Sequence, residues 1–315
     1  MNYVLILVGF VLLIKGADYF VDGASAIAKT FKIPTLVIGL TIVAFGTSAP
    51  EAAVSITSAI QGQNAIAMGN VVGSNIFNLL MVVGVSAFIC PFSVKKSILL
   101  KEFPFVLLSG IVLLVISFDT ALQGSAQNIL TRGDGIILLL FFGIFMYYLI
   151  AMAITSKDDD CEDIEEMPLK KSILLSIIGI IGIVFGGKIV VDSASAIAIQ
   201  WGMSETLVGL TIVAIGTSLP ELVTSVVAAK KNQSDIALGN VIGSNMFNAF
   251  FILGISATIH PIEIGASVIT DLVVLLIVTL ITYAFAISKK KVNKMEGATL
   301  VIIYIIYMAY IIMRN

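Results

Sequence analysis

Residues 39–51 read GLTIVAFGTSAPE, and residues 209–221 read GLTIVAIGTSLPE. Eleven of these thirteen positions are identical, at an offset of 170 residues. GNVVGSNIFN at 69–78 recurs as GNVIGSNMFN at 239–248, with eight of ten positions identical at the same offset. DGASAIA at 22–28 recurs as DSASAIA at 192–198, with six of seven identical. Three blocks sharing one offset mark a duplicated chain.

The duplication lies in an apolar sequence. Of 315 residues, 58% are hydrophobic and only 38 are charged, 18 basic and 20 acidic. Mean hydropathy is +1.07. Soluble domains carry about a quarter charged residues, roughly twice this share. That excludes an ordinary soluble enzyme. A net charge of −2 gives no reason to expect a nucleic-acid partner, and two cysteines, Cys90 and Cys161, make no disulfide framework. Met1-Asn2-Tyr3 lacks the basic start of a signal peptide, so the first apolar run reads as a retained helix.

The runs are long and continuously apolar, which predicts helices rather than barrel strands. The expected fold is an all-α membrane protein with ten transmembrane helices, at 3–28, 35–60, 65–90, 98–118, 134–155, 172–199, 206–229, 235–259, 266–287 and 297–313. Loops after odd-numbered spans hold 14 lysines, whereas the opposite side holds Arg132 and Arg314. By the positive-inside rule this partition places both termini outside the cytoplasm of a cell membrane. Residues 1–155 then form one five-helix repeat, and 172–315 a second. Five is odd, so the second repeat enters inverted, the arrangement of secondary transporters with a midplane site. Between them, 156–171 is an acidic cytoplasmic linker with seven acids at 158–166. It reads as a solvated segment. A cation sensor is the alternative, but the stretch lacks the spacing of an EF-hand loop.

The GTSxPE blocks fall in the middle of spans 2 and 7. Pro50 has no N–H for the Gly46 carbonyl, nor Pro220 for Gly216, so both spans should break there. Backbone oxygens freed at that depth must face protein or a hydrated cavity. Glu51 and Glu221 follow at once, and an intramembrane carboxylate marks a functional site. Thr47 and Ser48, like Thr217 and Ser218, precede their glutamate by four and three residues on the same helix face. Asn70, Ser74 and Asn78 on span 3, repeated as Asn240, Ser244 and Asn248 on span 8, add a polar stripe. These donors are all oxygen, which suits hard cations such as calcium rather than zinc or copper. Counting along straight helices leaves the two glutamates about 10 Å apart in depth. Kinks must shorten that for one ion to reach both. Lys15 with Asp18 and Lys188 with Asp192 are spaced to pair along one helix, and these charges, with Asp22, read as paired or snorkelling, gate or entry groups being the alternative. His260 reads as a surface residue.

GTSxPE with GNxxGSN, each twice in five-span halves, resembles the calcium/cation antiporter superfamily, and within it the prokaryotic sodium/calcium exchangers. The resemblance spans the whole chain. It implies a core of spans 2, 3, 7 and 8, with long spans 1 and 6 sliding against it. It implies calcium held by the carboxylates of Glu51 and Glu221 and the carbonyls of Thr47 and Thr217. Sodium would use Ser48, Ser218, Ser74, Ser244 and the carbonyls of Ala44 and Ala214. Asn78 and Asn248 complete the centre. Many relatives, potassium-dependent ones included, carry aspartate where this chain has Asn248, which weighs against potassium co-transport here. The implied activity is exchange of sodium for calcium by alternating access, with ions and lipid as partners, no cofactor and no obligate protein partner. Proton/calcium exchange and a cation channel are the alternatives. An intramembrane enzyme is disfavoured, because no nucleophile–base constellation is recognisable.

Overall fold

The computed structural model describes residues 2–155, 167–203, 212 and 214–314. The acidic stretch 158–166 and most of 204–213 lie outside the described residues.

Apolar runs form helices close to where the sequence places them. These are α1 (Asn2–Phe31), α2 (Thr35–Thr47), α3 (Ala49–Ile60), α4 (Ile66–Ile89), α5 (Ile98–Ile116) and α6 (Arg132–Thr155). They continue as α7 (Leu169–Gln200), α8 (Ala214–Thr217), α9 (Leu219–Lys230), α10 (Ser234–Ile259), α11 (Ala266–Lys289) and α12 (Lys294–Arg314). Among the described residues eight helices are long and apolar enough to cross a membrane, and α2 with α3 makes a ninth, bent by 52°. The expected span at 206–229 is described only from Ala214 onward, with isolated Ile212 before it.

Helix ends repeat across the two halves. After α1, Lys32 takes φ 53° and Ile33 N–H donates back to Ala28 O at 2.9 Å. After α7, Gly202 takes φ 93° and Met203 N–H donates to Ala198 O at 3.0 Å. The same left-handed stop closes α3 at Gly62 and α9 at Asn232. Such a turn satisfies the last carbonyls of a helix.

Burial sorts the helices into core and rim. In α10, 94% of the membrane-length window is buried, and in α4 72%, against 17% in α6. The core is therefore α4 and α10 with the broken helices around them. The faces of α5, α6, α11 and α12 present residues such as Leu100, Tyr147, Ile277 and Ile306 for lipid to cover. At 30 and 32 residues, α1 and α7 run about 45 Å, longer than a bilayer core, so they must tilt. They pack antiparallel through a ladder with a seven-residue step. Gly9 meets Gly186, Gly16 meets Gly179, and Gly23 meets Ser172. A Cβ at Gly16 would sit 2.9 Å from the Gly179 carbonyl oxygen, so the backbones touch.

Two short antiparallel ladders clip the loops. β1 (Phe92–Ser93) pairs with β4 (Lys291–Val292), and β2 (Ile129–Leu130) pairs with β3 (Ile262–Glu263). Each ladder joins one strand from each half, and α5 separates the two ladders.

Candidate functional site

The proline breaks fall where the sequence puts them. α2 ends at Thr47, Ser48 leaves helical geometry at φ −81°, ψ 7°, and α3 restarts at Ala49. α8 ends at Thr217, Ser218 takes φ −92°, ψ 6°, and α9 restarts at Leu219. The breaks differ in the backbone bond of their serine. Ser48 N–H donates to Ala44 O at 3.0 Å, whereas Ser218 N–H donates to Ile215 O at 3.2 Å. Pro50 and Pro220 leave the Gly46 and Gly216 carbonyls without their usual helical donor.

The restarts carry Glu51 and Glu221, both fully buried. Each carboxylate is held by the other half of the chain. Ser218 Oγ donates to Glu51 Oε1 at 2.8 Å, and Ser48 Oγ donates to Glu221 Oε1 at 2.8 Å. Each glutamate is thus reached by the serine three residues before the other one. The 52° bend, which straight counting omits, redirects the chain at the break.

The next layer is reciprocal in its asparagines and less so in its hydroxyls. Asn70 Nδ2 donates to the Glu51 carbonyl at 3.3 Å and to Ser55 Oγ at 2.9 Å. Asn240 Nδ2 makes the same two bonds, to Glu221 O and Ser225 Oγ, at 3.3 and 2.9 Å. Thr47 Oγ1 donates to Asn240 Oδ1 at 2.9 Å, and Thr217 Oγ1 lies 3.5 Å from Asn70 Oδ1. Ser74 Oγ lies 3.0 Å from Ser218 Oγ, and Ser244 Oγ donates to Ala44 O at 3.4 Å. Ala214 opens the turn before the second break. Asn78 and Asn248 lie in i→i+5 turns, Asn78–Val82 and Phe247–Ile252, a feature frequent at functional sites. All twelve residues that the resemblance implies as ion ligands fall at the breaks or on the facing helices. Asn75, Asn245, Ser55 and Ser225 belong here too. Their identity across the halves was the available signal.

Four buried oxygens in this pocket have no hydrogen-bond donor: Glu51 Oε2, Glu221 Oε2, Asn78 Oδ1 and Asn248 Oδ1. They form two repeat-related pairs. An unsatisfied buried acceptor costs about 1–3 kcal/mol, more when charged. A cation supplies what a donor would. Among the described residues no three His, Cys, Asp or Glu side chains cluster, so neutral oxygens must complete any shell around the two carboxylates.

The intramembrane charges elsewhere need a correction. Asp18 does not pair with Lys15, nor Asp192 with Lys188. Lys231 Nζ instead bridges Asp18 Oδ1 and Asp22 Oδ1, at 2.6 Å each. Spacing along one helix could not reveal a partner 209 residues away. His260 is exposed, as expected.

Broken apolar helices around a buried, donor-poor oxygen pocket define a helical membrane transporter for cations. The chain belongs to the sodium/calcium exchanger family, whose model matches residues 1–151 and 171–313. It is 33% identical to the sodium/calcium exchanger MaX1 of Methanosarcina acetivorans, over 98% of this chain and 97% of that one. It is 36% identical to the inner membrane protein YrbG of Escherichia coli K12, over 88% and 86%. The solved sodium-calcium exchanger NCX_Mj, soaked with Na+ and Sr2+, superposes with a TM-score of 0.85 at 34% identity, covering 98% of this chain and 97% of that one. The protein is an integral membrane cation/calcium antiporter of this family.

Proposed function

We propose that the protein exchanges sodium for calcium at one site reached alternately from the two sides of the membrane. The four donorless oxygens on Glu51, Glu221, Asn78 and Asn248 carry this reading. Calcium takes roughly six to eight oxygens, and two carboxylates cancel its charge. Here it would bind both carboxylates and the carbonyls of Thr47 and Thr217. Sodium would occupy overlapping positions made by Ser48, Ser74, Ser218, Ser244 and the carbonyls of Ala44 and Ala214, with Asn78 and Asn248 at the centre. Because the sets overlap, calcium and sodium exclude each other, which is what coupled exchange requires.

The chain is then two five-helix repeats, 1–155 and 172–315, inverted about the site and joined by a cytoplasmic linker at 156–171. The lysine-rich loops face the cytoplasm and both termini lie outside. If three sodium ions replace one calcium, each cycle moves one net charge, worth about 2.3 kcal/mol per 100 mV.

Calcium-45 uptake into proteoliposomes tests this, comparing an imposed sodium gradient with an imposed pH gradient. Uptake driven by sodium alone is expected, and uptake driven only by the pH gradient makes the coupling ion a proton. Glu51→Gln and Glu221→Gln should each abolish exchange while the protein still elutes as a folded species. Normal sodium-driven uptake by either variant would overturn the site.

A further inference from the structure

An amide at an ion site can present oxygen or nitrogen. Only the oxygen helps a cation, and the two ends are alike in size. We propose that Asn75 and Asn245, residues to which no role has been assigned above, are positioning residues that fix which end of Asn78 and Asn248 faces the ion. The inference rests on the proposed site.

The bonds form two chains whose direction is set at one end. The main-chain carbonyl of Asn75 can only accept, and it accepts from Asn245 Nδ2 at 3.4 Å. That turns Asn245 Oδ1 toward Asn78. Asn245 Oδ1 accepts from Asn78 Nδ2 at 3.1 Å. Asn78 has thereby used its nitrogen, and its Oδ1 is left buried with no donor. The mirror chain starts at the Asn245 carbonyl, which accepts from Asn75 Nδ2 at 3.3 Å. Asn75 Oδ1 accepts from Asn248 Nδ2 at 3.1 Å, and Asn248 Oδ1 is left without a donor.

Reversing the Asn78 amide would set two oxygens against each other at Asn245 and aim an N–H₂ group at the ion. Both changes are unfavourable where water is excluded, and Asn75 and Asn245 are 2% and 0% exposed. The polarity fixed by two backbone carbonyls is thus transmitted through one amide to the next. Each half orients the ion-facing amide of the other.

The test is a double-substitution cycle on the full chain in proteoliposomes, reading the calcium concentration for half-maximal sodium-driven uptake. Asn245→Ala should raise it about fivefold, the scale of one buried hydrogen bond, with a smaller change in maximal rate. Asn78→Ala should raise it at least as much. The pair Asn78→Ala/Asn245→Ala should be no worse than Asn78→Ala alone, because Asn245 acts through Asn78. Asn245→Ala with Asn248→Ala should instead multiply, since those two residues lie on separate chains. Multiplying effects in Asn78→Ala/Asn245→Ala would overturn the positioning role. If Asn78→Ala and Asn248→Ala both leave half-saturation unchanged, the site assignment itself fails. Should Asn245→Ala not fold by gel filtration, Asn75→Ala with Asn248→Ala performs the mirror test.

Discussion

A carboxylate taken fully out of water needs partners for both oxygens. Glu51 and Glu221 each have a serine on Oε1 and none on Oε2. The serine comes from the other half in both cases, so neither half can build the site alone. The central amides complete it without adding charge. Asn248→Asp would add a third carboxylate to the pocket. At high pH that group is ionised and should tighten calcium binding. At low pH it is protonated and resembles the amide it replaced. Calcium half-saturation of Asn248→Asp should therefore fall with rising pH more steeply than that of the parent. Parallel pH profiles for the two proteins would show that position 248 does not face the ion.

At the scale of elements, proline is what allows an apolar helix to carry this chemistry. Pro50→Ala restores an N–H that can pair with the Gly46 carbonyl and continue α2 into α3. Proline inside a helix costs about 3 kcal/mol, so this variant should melt no lower than the parent while exchanging at least about tenfold more slowly. A variant that melts higher and exchanges at the parental rate would mean that the break is dispensable. The break was legible in the sequence because proline acts on its own helix. The spans were legible for a similar reason, since each run of about twenty apolar residues reports on itself. The two glutamates were legible because so few charges lie within those runs. What stayed hidden depends on partners far away in the chain. Asn75 lies one position off the Asn70–Ser74–Asn78 stripe, so a four-residue period passes over it. The Gly9–Gly16–Gly23 ladder has meaning only once α7 lies antiparallel beside it. Lys231 belongs to a loop whose lysines, read alone, indicate only orientation.

Taken whole, the molecule is nearly two-fold at its centre and uneven at its ends. Around the glutamates the serine–glutamate bonds and the bonds of Asn70 and Asn240 recur at equal lengths in the two halves. At the end bearing Lys231 the bonds do not match their counterparts. There α1 is bolted to the α9–α10 turn by the Lys231 bridge to Asp18 and Asp22, and Ser25 Oγ lies 2.5 Å from Gln233 Oε1. The repeat-related positions at the other end are Gln61, Lys188, Asp192, Ser195 and Gln63. Gln61 cannot bridge acids as Lys231 does, and Ser195 Oγ has no hydrogen-bond partner. Among the described residues, therefore, the Lys231 end of the long α1–α7 pair carries an ion-pair bridge that the repeat-related positions at the other end do not form. Lys231→Gln places at this end the residue that stands at the repeat-related position 61 and removes the bridge. Partly exposed ion pairs contribute up to about 1 kcal/mol, so opening of the bolted end should become about two- to fivefold more frequent. Hydrogen–deuterium exchange reads this directly, as faster exchange across residues 18–30 with residues 188–200 unchanged. Equal acceleration of both segments would mean a general loss of stability, and no acceleration would mean that Lys231 fastens nothing.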